Sequence, residues 1–394
     1  MPRVIRTSVL RCTAVALLCS AFTSASAQQT KPPASVKHDF VLHNFKTESG
    51  AVVPELHVVY GTYGTLDAGK DNAVLLPSHY MAKYRGYEWL MGAGNVSADG
   101  LNTRALDPNK LFLVCTELFG NASSSSPSNT PEPFHGPRFP VMTIRDNVEV
   151  VHQLLTHELG IQHLRAVIGF SMGAQQAFQW AVSYPNYMDR IVATSGTART
   201  WPHGIVRNEG QIAAITADED FKDGDYTTEP KRGISAFGMV WAGWLYSQEW
   251  WRDELWKTND PRATLDSTIA EFRDHFIPNA DANNLILQMR TWEKHDVGTT
   301  PGFNGDTKKA LASIKVPVLY MPSMTDMYFP VGDARYESQF IPQVVLKPIP
   351  SLYGHPAGAG ASPADLKFLN ENISAFLRGE LIQGEAVLPG NQLH

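Results

Sequence analysis

Residues Gly169-Phe170-Ser171-Met172-Gly173 constrain this chain more than any other five. They lie between an apolar run, Ala166-Val167-Ile168, and a helix-like run from Ala174 to Ala181. A serine flanked by glycines at a strand-to-helix switch is the pattern of a nucleophile elbow. The turn is so tight that the serine takes strained backbone angles, and the positions two before and two after it must stay small. Such a turn lifts the serine hydroxyl clear of a sheet and sets the free N–H groups of a helix start beneath it. Ser171 is therefore the expected nucleophile toward a carbonyl carbon. A Gly-rich turn can carry the same residues for structural reasons alone, but here the patterns on both sides are those of a strand and a helix.

The rest of the chain supplies a sheet for that turn. Val52 to Tyr60 alternates as an early strand. Short apolar runs follow at Ala73–Leu76, Leu111–Cys115, Ala166–Ile168, Ile191–Ala193, Val316–Met321 and Val344–Leu346. Continuous apolar runs of this length suit strands buried on both faces, as in a parallel sheet covered by helices. Arg145 to Leu159 has helical spacing, ends at Gly160 and reads as the crossover helix feeding the elbow strand. The alternation implies a mostly parallel, doubly wound α/β sheet. Between about Arg199 and Thr300 the strand pattern stops, and seven of the nine tryptophans fall there. That stretch reads as an inserted helical, aromatic-rich cap. The expected organisation is core over 28–198, cap over 199–300 and core again over 301–394. Most cap tryptophans are expected to pack between helices. Trp241 and Trp244 are the candidates for a pocket wall, since ligand sites are lined by apolar and aromatic side chains.

A serine needs a base, and the base needs an acid to fix its tautomer. With an elbow of this kind the chain order is nucleophile, acid, histidine. Beyond Met321 only His355 and the terminal His394 remain, and Gly354-His355 follows the apolar run that ends near Ile349. His355 is the expected base. Asp326, in the loop leaving Val316–Met321, is favoured as the acid. Asp333 is the competitor and reads better as part of the next helix start. The oxyanion needs two N–H donors. Met172, directly after the nucleophile, supplies one. The loop Pro77–Met81 should supply the other, assigned to Tyr80. His79 is either a substrate contact or a ring packed beside the site.

Arg3, Arg6 and Arg11 precede an apolar stretch from Cys12 to Phe22, and Ala25-Ser26-Ala27 closes it. This is the pattern of a cleavable signal peptide over residues 1–27, cut after Ala27, and it implies a periplasmic or secreted protein. Its removal takes away three arginines and no acids, leaving 30 basic against 39 acidic side chains and a net charge of −9. An acidic chain without a basic run is a poor partner for nucleic acid or for anionic membranes. No later segment is long and apolar enough to span a bilayer. Cys115 alone remains, in a strand-like run, so no internal disulfide is expected. No paired-histidine or Cys/His cluster has metal-ligand spacing, so neither metal nor cofactor is implied. The expected partner is a small acyl compound. The aromatic cap could hide an interface, which leaves a homodimer open.

Several segments resemble the homoserine O-acetyltransferase-like branch of the α/β-hydrolase superfamily. They are Phe139 to Asp146, Ser171-Met172-Gly173 with Gln175, Trp180 and Tyr184-Pro185, and also Gly92-Ala93-Gly94, Ala105-Leu106-Asp107 and Leu118-Phe119-Gly120 to Ser128. The resemblance spans most of residues 38–376. It implies an α/β-hydrolase fold, a Ser171–Asp326–His355 triad and an oxyanion hole that includes Tyr80. That branch resembles Tyr-Gly-His-Asp at the base, where the Asp helps hold the amino group of homoserine. Here Pro356 follows His355. An exported enzyme would also rarely meet acyl-CoA. The expectation is therefore an exported serine hydrolase cleaving an ester or related acyl compound. O-acyl transfer to a hydroxyl is the alternative, and a non-catalytic binding protein on the same fold is the third reading.

Overall fold

The structure is a computed structural model and describes residues 28–30, 33–92, 94–96, 104–258 and 260–387. The signal peptide expected over residues 1–27 and the terminal His394 lie outside the described residues. Eight strands form the main sheet: β1 (Val36–Lys46), β2 (Val52–Tyr63), β3 (Ala73–Pro77), β4 (Phe112–Thr116), β5 (Ala166–Phe170), β6 (Ile191–Thr194), β7 (Val318–Met321) and β8 (Val344–Leu346). Their order across the sheet is β8-β7-β6-β5-β3-β4-β2-β1. From β3 to β8 every pairing is parallel, while β2 runs antiparallel to both β4 and β1. A separate two-stranded ladder pairs Gln28–Thr30 with Gly94–Val96.

The apolar runs become central strands because both of their faces are covered. On one face Leu75, Val114, Val167, Ile191 and Val318 pack into a core shared with Val148 and Val151 of α1 (Ile144–Gln153) and with Phe178 and Trp180 of α2 (Met172–Ser183). On the other, Val74, Leu113, Ile168, Val192 and Leu319 pack against Leu369 and Ile373 of the last helix, Pro363–Leu377. Neighbouring positions thus alternate between two cores, as a strand's two-residue period requires. α1 starts at a capping box in which Asp146 N donates to Thr143 Oγ1 and Thr143 N donates to Asp146 Oδ2. The helix expected to run to Leu159 gives way at Leu154 to one π-helical segment, Leu154–Glu158, and Gly160 then turns with φ of 63°.

Between β6 and β7 the chain is helical: α3 (Pro202–Thr216), α4 (Lys231–Leu245), α5 (Gln248–Arg252), α6 (Leu265–Asp274), α7 (Ala282–Glu293) and the short α8 (Thr307–Ala312). This is the aromatic-rich cap. Trp250 stacks on Tyr246 at 3.9 Å between ring centres and also meets Trp251 and Trp256. Those tryptophans hold cap helices to one another. After β7 come α9 (Val331–Ser338), β8 and α10, the helix Pro363–Leu377.

Candidate active site

β5 lies between β3 and β6, so the turn after it opens at the middle of the sheet's carboxyl edge. Ser171 occupies that turn with φ of 57° and ψ of −125°, a conformation that L residues rarely hold. A Cβ on Gly169 would fall 1.9 Å from the Gly173 carbonyl oxygen. One on Gly173 would fall 2.4 Å from the Pro77 carbonyl oxygen at the end of β3. The two glycines therefore close the turn on itself and let β3 approach it. Ser171 N donates to Thr194 O at 3.0 Å, and Ala174 N donates to Ser171 O at 2.9 Å. The N–H of Met172 lies at the helix start with no acceptor among the described residues.

The structure brings Asp326 and His355 to that serine. His355 Nε2 lies 3.0 Å from Ser171 Oγ, and Nδ1 lies 2.8 Å from Asp326 Oδ2. Ser171, Asp326 and His355 are 2%, 5% and 5% exposed, so bulk water does not compete for these contacts. The other carboxylate oxygen, Asp326 Oδ1, accepts from Tyr328 N at 2.7 Å and Phe329 N at 3.1 Å. Thr325 ties the acid loop to the base loop: its Oγ1 donates to Ser351 O at 2.9 Å and accepts from Gly354 N at 3.1 Å. Gly354 turns with φ of 62°, and its α-carbon faces the Leu245 carbonyl and Tyr246 too closely for a side chain. Asp333 lies in the first turn of α9, and the carboxylate that meets His355 is that of Asp326.

The second expected oxyanion donor sits in a pinned loop. Tyr80 N has no acceptor among the described residues, while its neighbours are held from two sides. Met81 N, in a residue with φ of 54°, donates to Gln288 Oε1 at 2.6 Å, and Gln288 Nε2 donates to Phe119 O at 2.9 Å. Gln176 Nε2 of α2 donates to Ser78 O at 2.8 Å. The Tyr80 hydroxyl donates to Leu285 O at 3.0 Å. Elbow helix and cap helix α7 thus fix the same turn. Gln176, fully buried among apolar helix positions, carried a sequence signal that went unread; Gln288 carried none short of the fold.

His79 packs edge-on to Phe170, with 4.9 Å between ring centres. Burial, with the nearby His355 in second place, pulls its pKa down to about 4, so it is neutral at neutral pH. Trp241 stacks 5.3 Å from Tyr80 and stands edge-on to Tyr328, whose ring lies 4.8 Å from His355. Trp292 lies 6.4 Å from Tyr80 and stacks on Phe329 at 5.0 Å. Trp241 and Trp292 therefore pack around Tyr80 and the rings beside His355, and Trp292 was not singled out in the sequence. Trp244 meets His203 of α3 instead, one layer further out. Among the described residues no three His, Cys, Asp or Glu side chains converge in a metal-holding group.

The chain is similar in sequence and fold to known proteins. The α/β hydrolase fold family profile matches residues 101–360. An ethyl acetate hydrolase of Pseudomonas veronii is 34% identical over 84% of this chain and 92% of its own length. A homoserine O-acetyltransferase of Trichormus variabilis is 31% identical over 79% of this chain and 87% of its own. The crystal structure of the acetyl esterase MekB superposes with a TM-score of 0.81 and 31% identity, covering 87% of this chain and 97% of that one.

Proposed function

The chain belongs to the α/β-hydrolase fold family and is an esterase-like enzyme, and from that premise we propose that it is an exported serine esterase working through an acyl-enzyme on Ser171. The observation that carries the proposal is the continuous line Asp326 Oδ2, His355 Nδ1, His355 Nε2, Ser171 Oγ, with steps of 2.8 and 3.0 Å in a buried setting. Asp326 accepts from Nδ1 and so leaves Nε2 as the acceptor that faces the hydroxyl. His355 takes the Ser171 proton as Oγ bonds to the ester carbonyl carbon. The carbonyl oxygen becomes an oxyanion received by the N–H groups of Met172 and Tyr80, each worth about 3 kcal/mol of barrier in such sites. Collapse expels the alcohol, which takes the proton from His355. Water, deprotonated by His355, then attacks the acyl-serine and frees the acid.

The site suits short acyl groups, because the rings of Tyr80, Trp241, Tyr328 and Trp292 pack closely on one another beside it. O-acyl transfer shares every step up to the acyl-enzyme, and the 31% identity to a homoserine O-acetyltransferase favours keeping it as the second reading. Pro356, at the start of the short helix His355–Ala359, weighs against it, since the carboxylate that resemblance leads one to expect there is missing. Export rests on the arginine-led apolar pattern of residues 1–27, and a mature chain recovered outside the cytoplasm beginning at Gln28 is its check. For the reaction, the test is a panel of p-nitrophenyl esters of rising acyl length given to the mature protein and to Ser171→Ala. The proposal expects turnover that vanishes in the variant; equal turnover in both overturns it. Ser171-dependent O-acetylhomoserine formation from acetyl-CoA and homoserine, without comparable ester hydrolysis, reverses the ranking.

A further inference from the structure

Arg207, on the buried face of α3, is 3% exposed. Its guanidinium carbon sits 4.3 Å from the ring centre of Trp292 and 4.0 Å from that of Tyr328. Nη1 donates to Gln211 Oε1 at 2.5 Å. Nε and Nη2 are buried and have no acceptor among the described residues. Together these two atoms form the side edge of the guanidinium, the fork that matches both oxygens of a carboxylate. Elsewhere in this chain that edge is used in just this way. Arg335 gives Nε and Nη2 to the two oxygens of Glu385 at 2.9 and 3.2 Å, and Arg273 gives them to Asp274 at 2.8 and 2.8 Å. Beside Arg207, both amide atoms of Asn208 and Nε2 of Gln211 are also buried without partners among the described residues. Burial pulls Arg207 down to about 10, with Tyr328 and Asp326 opposing the shift, so it stays charged at neutral pH. A buried cation with unused donors is costly unless an anion meets it.

The place of this fork ties it to the reaction. The Tyr328 ring that faces Arg207 lies 4.8 Å from His355, and the Trp292 ring that faces it lies 6.4 Å from Tyr80. Arg207 is thus one aromatic ring away from the imidazole and from the oxyanion loop. We propose that Arg207 binds a carboxylate carried by the ester itself, so that the favoured substrates are anionic esters. The carboxylate belongs either to the acyl part, as in a half-ester of a dicarboxylic acid, or to the alcohol part, as in an acylated hydroxy acid. This rests on the reading of Ser171 as the nucleophile.

The experiment compares kcat/KM within two matched pairs. p-Nitrophenyl hemisuccinate against p-nitrophenyl valerate places the charge on the acyl side; 3-acetoxypropionate against butyl acetate places it on the alcohol side. In the parent protein the anionic member of one pair is preferred, and the pair that shows it identifies the side. Arg207→Met lowers that preference by about 100-fold, the size of a lost charge-assisted bidentate pair. Arg207→Lys, which keeps the charge without the fork, falls between. Binding is read separately, by calorimetry of succinate and of 3-hydroxypropionate into Ser171→Ala, where one of them binds and adding Arg207→Met abolishes it. Preference for the neutral member in both pairs, an equal loss on both members in Arg207→Met, or no binding of either anion to Ser171→Ala overturns the proposal. Failure of the nucleophile reading looks different: Ser171→Ala would then still turn over ester.

Discussion

Asp326 shows how much of the chemistry depends on which oxygen meets which partner. Oδ1 is committed to two backbone N–H groups and Oδ2 to His355. In Asp326→Asn the amide oxygen keeps the backbone donors, which puts the NH2 group toward His355 Nδ1. The imidazole must then carry its proton on Nε2 and can no longer accept from Ser171. A fall in kcat of about 10³–10⁴-fold with KM little changed is expected. Steady-state kinetics on a variant whose thermal midpoint is near that of the parent checks it, and a fall below tenfold contradicts the assigned role. At the same scale, Gly169 and Gly173 are small for reasons that distances state directly. Their missing β-carbons would meet carbonyl oxygens of Gly173 and Pro77.

Among the elements, the loop after β3 and helix α7 act together, though some 200 residues separate them in sequence. Gln288 of α7 holds Met81, the neighbour of Tyr80, and in the proposed mechanism it thereby positions the Tyr80 N–H for the oxyanion. Gln288→Ala should lower kcat about 10–100-fold while KM moves little, because the lost contact matters most when charge develops on the substrate. A rise in KM alone, or no change, contradicts this. Such long-range pairs also mark the limit of what the sequence disclosed. Central strands were legible because burial on both faces leaves an unbroken apolar run, and chain order then selected Asp326 and His355. β1 was not legible: as an edge strand it keeps one neighbour, its exposure alternates, and its residues Val36 to Lys46 mix apolar with His, Asp and Lys. Gln288 and Arg207 went unread because a polar residue on an amphipathic helix looks solvent-facing until the packing of that helix is known.

In the molecule as a whole, Glu337 links three layers. Fully buried on α9, it accepts from Ala198 N after β6, from Trp201 Nε1 of the cap and from the Tyr320 hydroxyl of β7, each at 2.9 Å. Burial outweighs these bonds and raises its pKa from 4.5 to about 7. A carboxyl raised in the folded state binds its proton more tightly folded than unfolded. The stability this gives is complete below about pH 4.5 and is lost as pH climbs through about 7, a change of about 3 kcal/mol. Asp146, raised to about 6 mainly by burial, acts in the same direction. Glu337→Gln should flatten the decline in unfolding free energy between pH 5 and 8, measured by urea titration; an unchanged slope contradicts the assignment. Passage of the acyl group through Ser171 is open to intact-mass analysis of the protein quenched during turnover of an acetyl ester. One added acetyl group is expected, mapped to the peptide containing Ser171 and absent from Ser171→Ala. Acetate release by a protein that never carries the acetyl group, or acetylation that persists in Ser171→Ala, would contradict it.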